Sequence, residues 1–336
     1  MTASSAISRS RLLQTLNLLR PGLANKEIFE GSTCFNFHRD IICTYNDFFS
    51  VVIPFETGVE GAVQADELYK LLDKMTGEEV EIIQGENEIR LRCGKTKAGL
   101  KISGTILPPI EPEGEFYDLP KDYQEGLDFC QFSCSTDMTR PELTCLHIRS
   151  NKISSSDNHR ITEFIQKEPW PYDFLLPAEQ AVHLNRYELT HMALDNAWAH
   201  FLNEESGLLV SVRLKAGKSI DIEPFFDVEG QTVQIPIEIK DALERTTIMV
   251  EGASVLDLKV SLKLEEGKLT CRGEKEAGWV EETLSTKYSG PPMQFQANPK
   301  FLLNILSRTQ EMVVGESTCL FRGPNFRHVM MLVSDE

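Results

Sequence analysis

The chain has 336 residues, of which 41% are hydrophobic and 25% charged, and its formal net charge is −17. This composition is typical of a globular protein with two or three domains. It contains no apolar run near the roughly 20 residues of a membrane span. The first residues, MTASSAISRSRLL, lack the apolar core of a secretion signal. We therefore expect a cytoplasmic protein.

One order of elements recurs three times along the chain, with little identity between the copies. Each copy has an amphipathic helix, a pair of strands, a second helix and another pair of strands. The predicted helices lie at Ser8–Leu19, within Gly61–Met75, at Lys121–Cys134, within Phe174–Tyr187, at Ile239–Val250 and within Phe295–Thr309. The repetition predicts three copies of one fold rather than one catalytic domain with additions.

Alternating apolar and polar residues predict about eight strands in each copy. VEIIQGENEIRLRC and LDLKVSLKLEEGKLTCRG both read as two strands joined by a turn that contains glycine. Such strands bury one face, which the helices must cover, so the fold class is α+β. Segments rich in Pro, Gly and acids, Leu107–Pro120 and Glu223–Gln231, separate the copies. The predicted domains are therefore residues 1–112, 113–226 and 227–336.

The eight cysteines are scattered, mostly within strand-like runs. Cys130 and Cys134 are four residues apart on one predicted helix, and no second pair is near enough in sequence to complete a zinc site. We expect free, buried thiols in a reducing cytosol. No metal or other cofactor is predicted.

Catalytic motifs fail on inspection. CGKT at Cys93–Thr96 resembles the end of a phosphate-binding loop, but Ile89 occupies the position that needs the first glycine. His159 lies near Asp157 without a nucleophile motif such as GxSxG, and no histidines have the HExxH spacing. The sequence therefore predicts a protein that is not an enzyme.

The charge distribution is less simple than the net charge of −17, which by itself argues against a nucleic-acid partner. Acidic residues concentrate in turns such as GEEVE, QGENE and EPEGE, whereas basic residues gather on the predicted helices. The candidate DNA-contacting residues are Arg9, Arg11, Arg20, Lys70, Lys74, Lys121, Arg140, Arg186, Lys240, Arg245, Lys300 and Arg308. Lys and Arg also commonly occupy solvated helix faces, so both interpretations remain open at this point.

Several segments resemble, in order, motifs of one family. SSSDNHRITEF at Ser154–Phe164 resembles a strand-end motif of the form T-D-G-H-R-L, and Tyr288–Leu306 resembles that family's run of Tyr-x-Gly, strand, Asn-x-x-Tyr-Leu and helix. FRHVMMLV at Phe326–Val333 resembles its apolar C-terminal strand. Together with IKDALERT and GWVEETL, these segments make the chain similar to the bacterial or phage-type DNA sliding clamp, the DNA polymerase III beta subunit family.

The resemblance implies three tandem copies of the DNA clamp fold and a homodimer that closes a six-domain ring. Such a ring encircles double-stranded DNA without reading its sequence and serves as a processivity factor for the replicative DNA polymerase. It also implies a clamp loader and other proteins with clamp-binding motifs as partners, in the cytoplasm of a bacterial or phage-infected cell. One alternative is a clamp-fold scaffold for repair proteins that serves no replicase. Another is an unrecognised enzyme.

The resemblance also implies an apolar groove that binds short partner peptides. The residues carried over to it are His159, Arg160, Ile161, Ile220, Phe225, Phe301, Met330 and Leu332. The chain departs from the family at the groove where Asn158 replaces a glycine and where Met331 replaces a proline, and it continues through residues 333–336 beyond the usual end. Away from the groove, Pro141 stands where the family often has an aromatic residue near a DNA-contacting loop, so only Arg140 is carried over there. Because Asn tolerates positive φ, we expect the turn at Asn158 to survive. We expect an altered rim and altered peptide specificity.

Overall fold

The computed structural model describes residues 4–195, 197–250, 252 and 254–333. Residues 334–336, part of the predicted extension beyond the family's usual end, lie outside this part. In the described part, one series of elements occurs three times: a strand, a helix, three strands, a single strand, a second helix and three strands. The prediction of two helices and about eight strands per copy is therefore confirmed. The predicted strand pairs are wrong, because each set has three strands.

The first copy contains ten elements. They are β1 (Ser4–Ser8), α1 (Arg9–Leu19), β2 (Cys34–His38), β3 (Ile41–Tyr45), β4 (Phe49–Pro54), β5 (Glu60–Gln64), α2 (Ala65–Lys74), β6 (Glu79–Gln84), β7 (Glu88–Cys93) and β8 (Thr96–Lys101). Helix α1 begins one residue later than predicted because Ser8 is its N-cap, whose hydroxyl accepts from the Arg11 N–H.

The second copy has the same series. Its elements are β9 (Tyr117–Asp118), α3 (Tyr123–Gln131), β10 (Cys145–Arg149), β11 (Lys152–Ser156), β12 (Arg160–Ile165), β13 (Phe174–Pro177), α4 (Ala178–Leu184), β14 (His191–Leu194), β15 (Trp198–Leu202) and β16 (Leu209–Arg213). The helix predicted at Lys121–Cys134 is shorter at both ends. Cys134 therefore lies beyond α3.

The third copy completes the chain. Its elements are β17 (Gln231–Gln234), α5 (Ile239–Val250), β18 (Val260–Glu265), β19 (Lys268–Lys275), β20 (Gly278–Ser285), β21 (Met293–Ala297), α6 (Pro299–Ile305), β22 (Glu311–Val314), β23 (Thr318–Arg322) and β24 (Phe326–Met331). Helix α5 has the predicted bounds. A 3-10 turn, Glu223–Phe226, lies in the segment that precedes β17.

The chain forms two compact units, one of residues 1–124 and 170–216 and the other of residues 125–169 and 217–336. This division cuts through the second copy. The boundaries predicted after residues 112 and 226 therefore stay a prediction.

The first unit contains two antiparallel sheets, with strand orders β1-β6-β7-β8 and β5-β2-β3-β4-β16-β15-β14-β9. Helix α1 packs on β4 and on α2. Its residues Leu12, Leu16 and Leu19 are fully buried. Their spacing of four and three residues places them on one helix face, which forms the core beneath the sheet.

The second unit also contains two antiparallel sheets. One has the order β20-β19-β18-β21, and the other runs β10-β11-β12-β24-β23-β22-β17 within this unit. Helix α3 lies close to the second sheet at Gly126, where a Cβ atom would come 2.7 Å from Ile153 Cδ1 and 2.9 Å from Phe164 Cδ1. Glycine is thus needed there for close packing, although it disfavours a helix interior.

All eight cysteines are free thiols, as predicted. Seven are buried and Cys134 is half-buried. Burial raises the pKa of the Cys43 and Cys319 thiols to about 12, so these thiols stay protonated and behave as small apolar side chains.

Candidate functional site

A groove in the second unit lies where β12 begins and β24 ends. It has a volume of about 310 Å³, which is at the lower end for ligand sites. Its lining is Arg140, Leu143, Ser156, Asn158, His159, Arg160, Ile161, Ile220, Ile222, Phe225, Thr318, Val329, Met330 and Met331. Aliphatic, aromatic and Met side chains dominate this set.

A tight turn before β12 forms one end of the groove. Asp157 Oδ1 accepts from the N–H groups of His159 and Arg160, at 3.1 Å each. Asn158 has a φ of 73°, so the expectation that Asn sustains this turn is confirmed. The Met331 N–H donates to the His159 carbonyl at 2.8 Å, which fixes the end of β24 against the turn.

The floor of the groove is part of the core. Ile161 on β12 and Val329 on β24 are opposite one another in the antiparallel pair and form a buried cluster with Phe226 and Leu320. A floor made of paired strands and packed side chains is rigid. Adaptability must therefore come from the rim, where Met331 and Phe225 are exposed.

Arg160 links the turn to α6. Its Nε atom is 2.9 Å from Asp157 Oδ2, its Nη1 donates to Asn304 Oδ1 at 2.9 Å, and it also donates to the Phe132 carbonyl. The guanidinium lies 4.0 Å from the centroid of the Phe301 ring. Since these contacts occupy the guanidinium, Arg160 mainly holds the site together.

The connecting segment, residues 217–230 before β17, forms the remaining wall and contributes Ile220, Ile222 and Phe225. The Phe225 side chain is 56% exposed, whereas its neighbour Phe226 is 3% exposed. The segment is also anchored upstream, where Ser219 Oγ lies 3.2 Å from Nδ1 of the buried His147. Phe226 thus anchors the wall, while Phe225, one residue earlier, faces the groove.

Six of the eight residues predicted for the groove line it: His159, Arg160, Ile161, Ile220, Phe225 and Met330. The other two, Phe301 and Leu332, are not in its lining. Phe301 is buried beneath Arg160, and the Leu332 N–H donates to the Ser317 carbonyl at the end of β24. Arg140, predicted as a DNA contact, lies in this groove and donates to Asn158 Oδ1 at 2.9 Å.

Several lining residues escaped sequence reasoning, notably Leu143, Ile222 and Val329. Strand alternation gives the signal for Val329, because its cross-strand partner Ile161 faces the same side. Leu143 lies in a 3-10 turn at Pro141–Thr144, where the sequence carries no comparable periodicity.

The equivalent junction in the first unit is built differently. The β4–β16 pair carries Phe49 opposite Val212 and Ser50 opposite Ser211, and Asp47 repeats the positive φ at 74°. The Ser pair thus replaces the Ile161 and Val329 floor, and both serines are buried. The apolar floor of the groove therefore has no counterpart at this junction.

Ser211 also belongs to a trio that resembles a catalytic triad. Nδ1 of His200 lies 2.8 Å from Ser211 Oγ, and its Nε2 lies 2.9 Å from Asp195 Oδ2. Both Ser211 and His200 are fully buried, so a substrate has no access to the hydroxyl. The trio satisfies buried polar groups rather than activating a nucleophile.

The basic residues predicted to contact DNA fall into distinct environments. Four pair with acids: Lys70 with Asp66, Lys74 with Asp73, Arg140 with Glu142, and Arg245 with Glu282. Arg9 donates to the carbonyls of Leu72 and Gly77. Arg11, Arg20 and Arg308 lie over the rings of Phe55, Tyr69 and Phe129. Lys121, Arg186 and Lys300 are exposed, and Lys240 is half-buried.

Helix placement of these bases is only partly as expected. Helix α1 carries Arg9 and Arg11 and no acid, whereas α3 carries Glu125 and Asp128 and no base. The bases predicted for the second copy, Lys121, Arg140 and Arg186, lie outside the helices. The expectation that helices are basic in all three copies is wrong for the second copy.

No group of three or more His, Cys, Asp or Glu side chains in the described ranges is placed to hold a metal ion. Across the same residues, no helix has the length and apolarity needed to cross a membrane.

Comparison with known proteins gives a match in structure alone. No protein-family model matches the chain, and no curated protein matches it. The fold is similar to that of a DNA polymerase III beta chain from Streptococcus pneumoniae, with a TM-score of 0.85 and 16% identity over 100% of both chains. It is equally similar to a DnaN sliding clamp from Pseudomonas aeruginosa bound to griselimycin (TM-score 0.85, 16% identity, 98% of this chain and 99% of that one).

A putative DNA polymerase III beta subunit from Eubacterium rectale matches with a TM-score of 0.83 and 17% identity, over 99% of this chain and 100% of that one. The fold is thus that of the DNA sliding clamps. Among these, the chain is similar to the DNA polymerase III beta subunits over its whole length, and the resemblance seen in the sequence is confirmed.

Proposed function

We propose that the chain is a DNA sliding clamp, a processivity factor that encircles duplex DNA as a closed ring and tethers a polymerase and other proteins through the groove. The observation that carries the proposal is the way in which sheet halves from successive copies join. The likeness in fold to sliding clamps supports it over the whole chain.

In each long sheet, a strand set from one copy pairs with a strand set from the next. Strand β4 of the first copy pairs antiparallel with β16 of the second, and β12 of the second pairs antiparallel with β24 of the third. By the same rule, β20 of the third copy pairs with β8 of a first copy. Both strands end four-stranded sheets of the described part. A second chain supplies both partners, so two chains close head to tail.

The two edge strands, β20 and β8, have features expected of strands that pair with another chain. Burial alternates along β20, where Val280 and Leu284 are half-buried, and along β8, where Ala98 and Leu100 are half-buried. On α5, which packs against β20, Ile248 is 70% exposed. A large apolar side chain so placed favours burial against a partner.

DNA contact in this proposal is electrostatic and independent of sequence. Arg11 and Arg20 are exposed on or beside α1, each guanidinium within about 5 Å of an aromatic ring centroid. These aromatic rings restrain the two arginine side chains and leave guanidinium donors available for DNA phosphates. A ring retains DNA by topology, so weak and salt-screened attraction suffices and the net charge of −17 is tolerated.

Oligomeric state and topology test the ring. Light scattering at tens of micromolar should give the mass of two chains, and a strictly monomeric protein would contradict closure. Supplied with a loader, the protein should be retained on nicked circular duplex and lost when that DNA is linearised. Equal retention on both forms would exclude sliding.

The groove is proposed to bind partner peptides through apolar anchors. Burying one Leu or Phe anchor contributes about 1.5–3 kcal/mol, so two anchors contribute about 3–6 kcal/mol before the association costs are subtracted. Replacing Phe225 and Met331 together by Ala should weaken the complex about tenfold or more. Both side chains are exposed at the rim, so the fold should be unaffected.

Two probes measure this effect by calorimetry: griselimycin, which is bound in the Pseudomonas aeruginosa structure, and a capped, uncharged hexapeptide whose only large side chains are one Leu and one Phe. The matched control is Phe48→Ala, which removes an exposed aromatic side chain from the equivalent turn of the first unit. Unchanged affinity in the Phe225/Met331 variant would show that the groove is not the peptide site.

A further inference from the structure

The groove wall is held by a network of four charged side chains that lies outside the groove lining. Arg327 on β24 donates to Glu163 Oε1 at 2.8 Å from Nε and to Glu223 Oε2 at 3.1 Å from Nη1. Lys152 on β11 completes the network. Its Nζ lies 3.2 Å from Glu163 Oε2 and 2.5 Å from Glu223 Oε1.

The members of this network differ in burial. Glu163 is buried, with 1% of its surface exposed, so its negative charge requires the positive charges of Lys152 and Arg327. The Glu223 side chain is about half exposed and is the one member that belongs to the connecting segment. The Arg327 and Lys152 hydrogen bonds hold the pKa of Glu223 down to about 2. Glu223 therefore stays ionised throughout the neutral range.

The network is coupled to the groove through two successive aromatic residues. Arg327 lies 4.2 Å from the centroid of the Phe226 ring, and Phe226 packs in the core beneath Ile161 and Val329. Phe225, one residue earlier and two residues after Glu223, faces the groove. The 3-10 turn Glu223–Phe226 carries all three residues, so a shift of Glu223 displaces Phe225.

We propose that Glu223 is a positioning residue, and that its ion pairs with Lys152 and Arg327 set the position of the groove wall and thereby the affinity of the groove for its peptides. This inference rests on the proposed peptide-binding function. An exposed ion pair is screened by salt. Because salt weakens the ion pairs of Glu223, the position of the groove wall should depend on ionic strength. The affinity of the groove should therefore depend on ionic strength even for a peptide without charge.

The test compares Glu223→Gln with Glu229→Gln, which removes the same charge from an exposed position on the same connecting segment. At low salt, Glu223→Gln should bind the capped, uncharged hexapeptide about three- to tenfold more weakly than the native protein. The native affinity should fall toward that of Glu223→Gln as sodium chloride is raised to 1 M, while the affinity of the variant stays flat. Glu229→Gln should follow the native curve.

Hydrogen exchange of the unliganded protein gives a readout that does not require a peptide. In Glu223→Gln, amides of residues 220–228 should exchange several-fold faster at low salt, with protection in β12 and β24 unchanged. Equal exchange in the two proteins, or parallel salt curves, would overturn the positioning role. A native protein that binds no hexapeptide while the exchange difference is present would instead count against the proposed function of the groove alone.

Discussion

Replacing His328 by Gln should reduce the acid sensitivity of the second unit. His328 lies on β24 with no exposed surface. Its Nδ1 is 2.8 Å from Thr162 Oγ1, and its ring centroid lies 5.6 Å from Phe132 and 5.8 Å from Phe321. Burial, and secondarily the charge of Arg160, lowers the pKa of this imidazole from 6.5 to about 3.

The direction and size of the effect follow from linkage. Below pH 6.5 the unfolded chain takes up a proton on His328 that the folded chain accepts only near pH 3. Stability is therefore fully present above pH 6.5 and falls as the pH drops toward 3. Each pH unit within this window costs about 1.4 kcal/mol, so unfolding becomes about 2 kcal/mol easier between pH 7 and pH 5 from this residue alone.

Urea unfolding at pH 7, 6 and 5, followed by circular dichroism, measures the effect. Gln can keep a hydrogen bond to Thr162 but does not titrate. In His328→Gln, the free energy of unfolding should therefore fall by about 2 kcal/mol less between pH 7 and pH 5 than it does in the native protein. Burial also lowers the pKa of His147. The variant His147→Gln therefore measures separately how much this second buried histidine contributes to the loss of stability at low pH. An unchanged slope in His328→Gln would show that the imidazole does not stay neutral in the folded protein.

Two further predictions concern the ring and its interior. Ile248→Glu should convert the dimer to a folded monomer, because it replaces an exposed apolar side chain of α5 by a charge that the interface would have to bury. Light scattering with circular dichroism distinguishes this from unfolding, and an unchanged dimer would show that Ile248 is not part of the interface. Replacing Arg11 and Arg20 together by Ala should weaken DNA binding and reduce the slope of log affinity against log salt by up to about 4, because the two chains of the ring together lose four arginines. A fluorescence titration at several salt concentrations measures that slope, and an unchanged slope would mean that neither side chain contacts phosphate.

The fold was predictable from sequence where its periodicity is strong. Helix α5 was predicted to the residue because six of its side chains are buried at helical spacing. The bounds of helix α6 were predicted only as lying within Phe295–Thr309, although Asn298 and Pro299 mark its start. The Asn298 side chain accepts from the N–H groups of Lys300 and Phe301, which is a recognisable N-terminal signal.

The groove was less predictable, because its geometry depends on contacts between residues far apart in sequence. Arg140 enters it through a hydrogen bond to Asn158, and no local pattern indicates that contact. A sequence motif also does not show whether an aromatic side chain lines a groove or packs behind its lining. Phe301 is of the second kind, since the Arg160 guanidinium covers it.

The open strand edges have a consequence for self-association of the wrong kind. An unpaired edge is a template for any extended strand, including the same edge on another molecule. Strand β8 carries Lys97 and Lys101 on its exposed positions, so two copies of β8 meeting edge to edge would bring lysines together. Such repulsion disfavours like-with-like pairing and leaves the unlike edge β20 as the acceptable partner. The lysines thus discriminate between a closed assembly and an uncontrolled one.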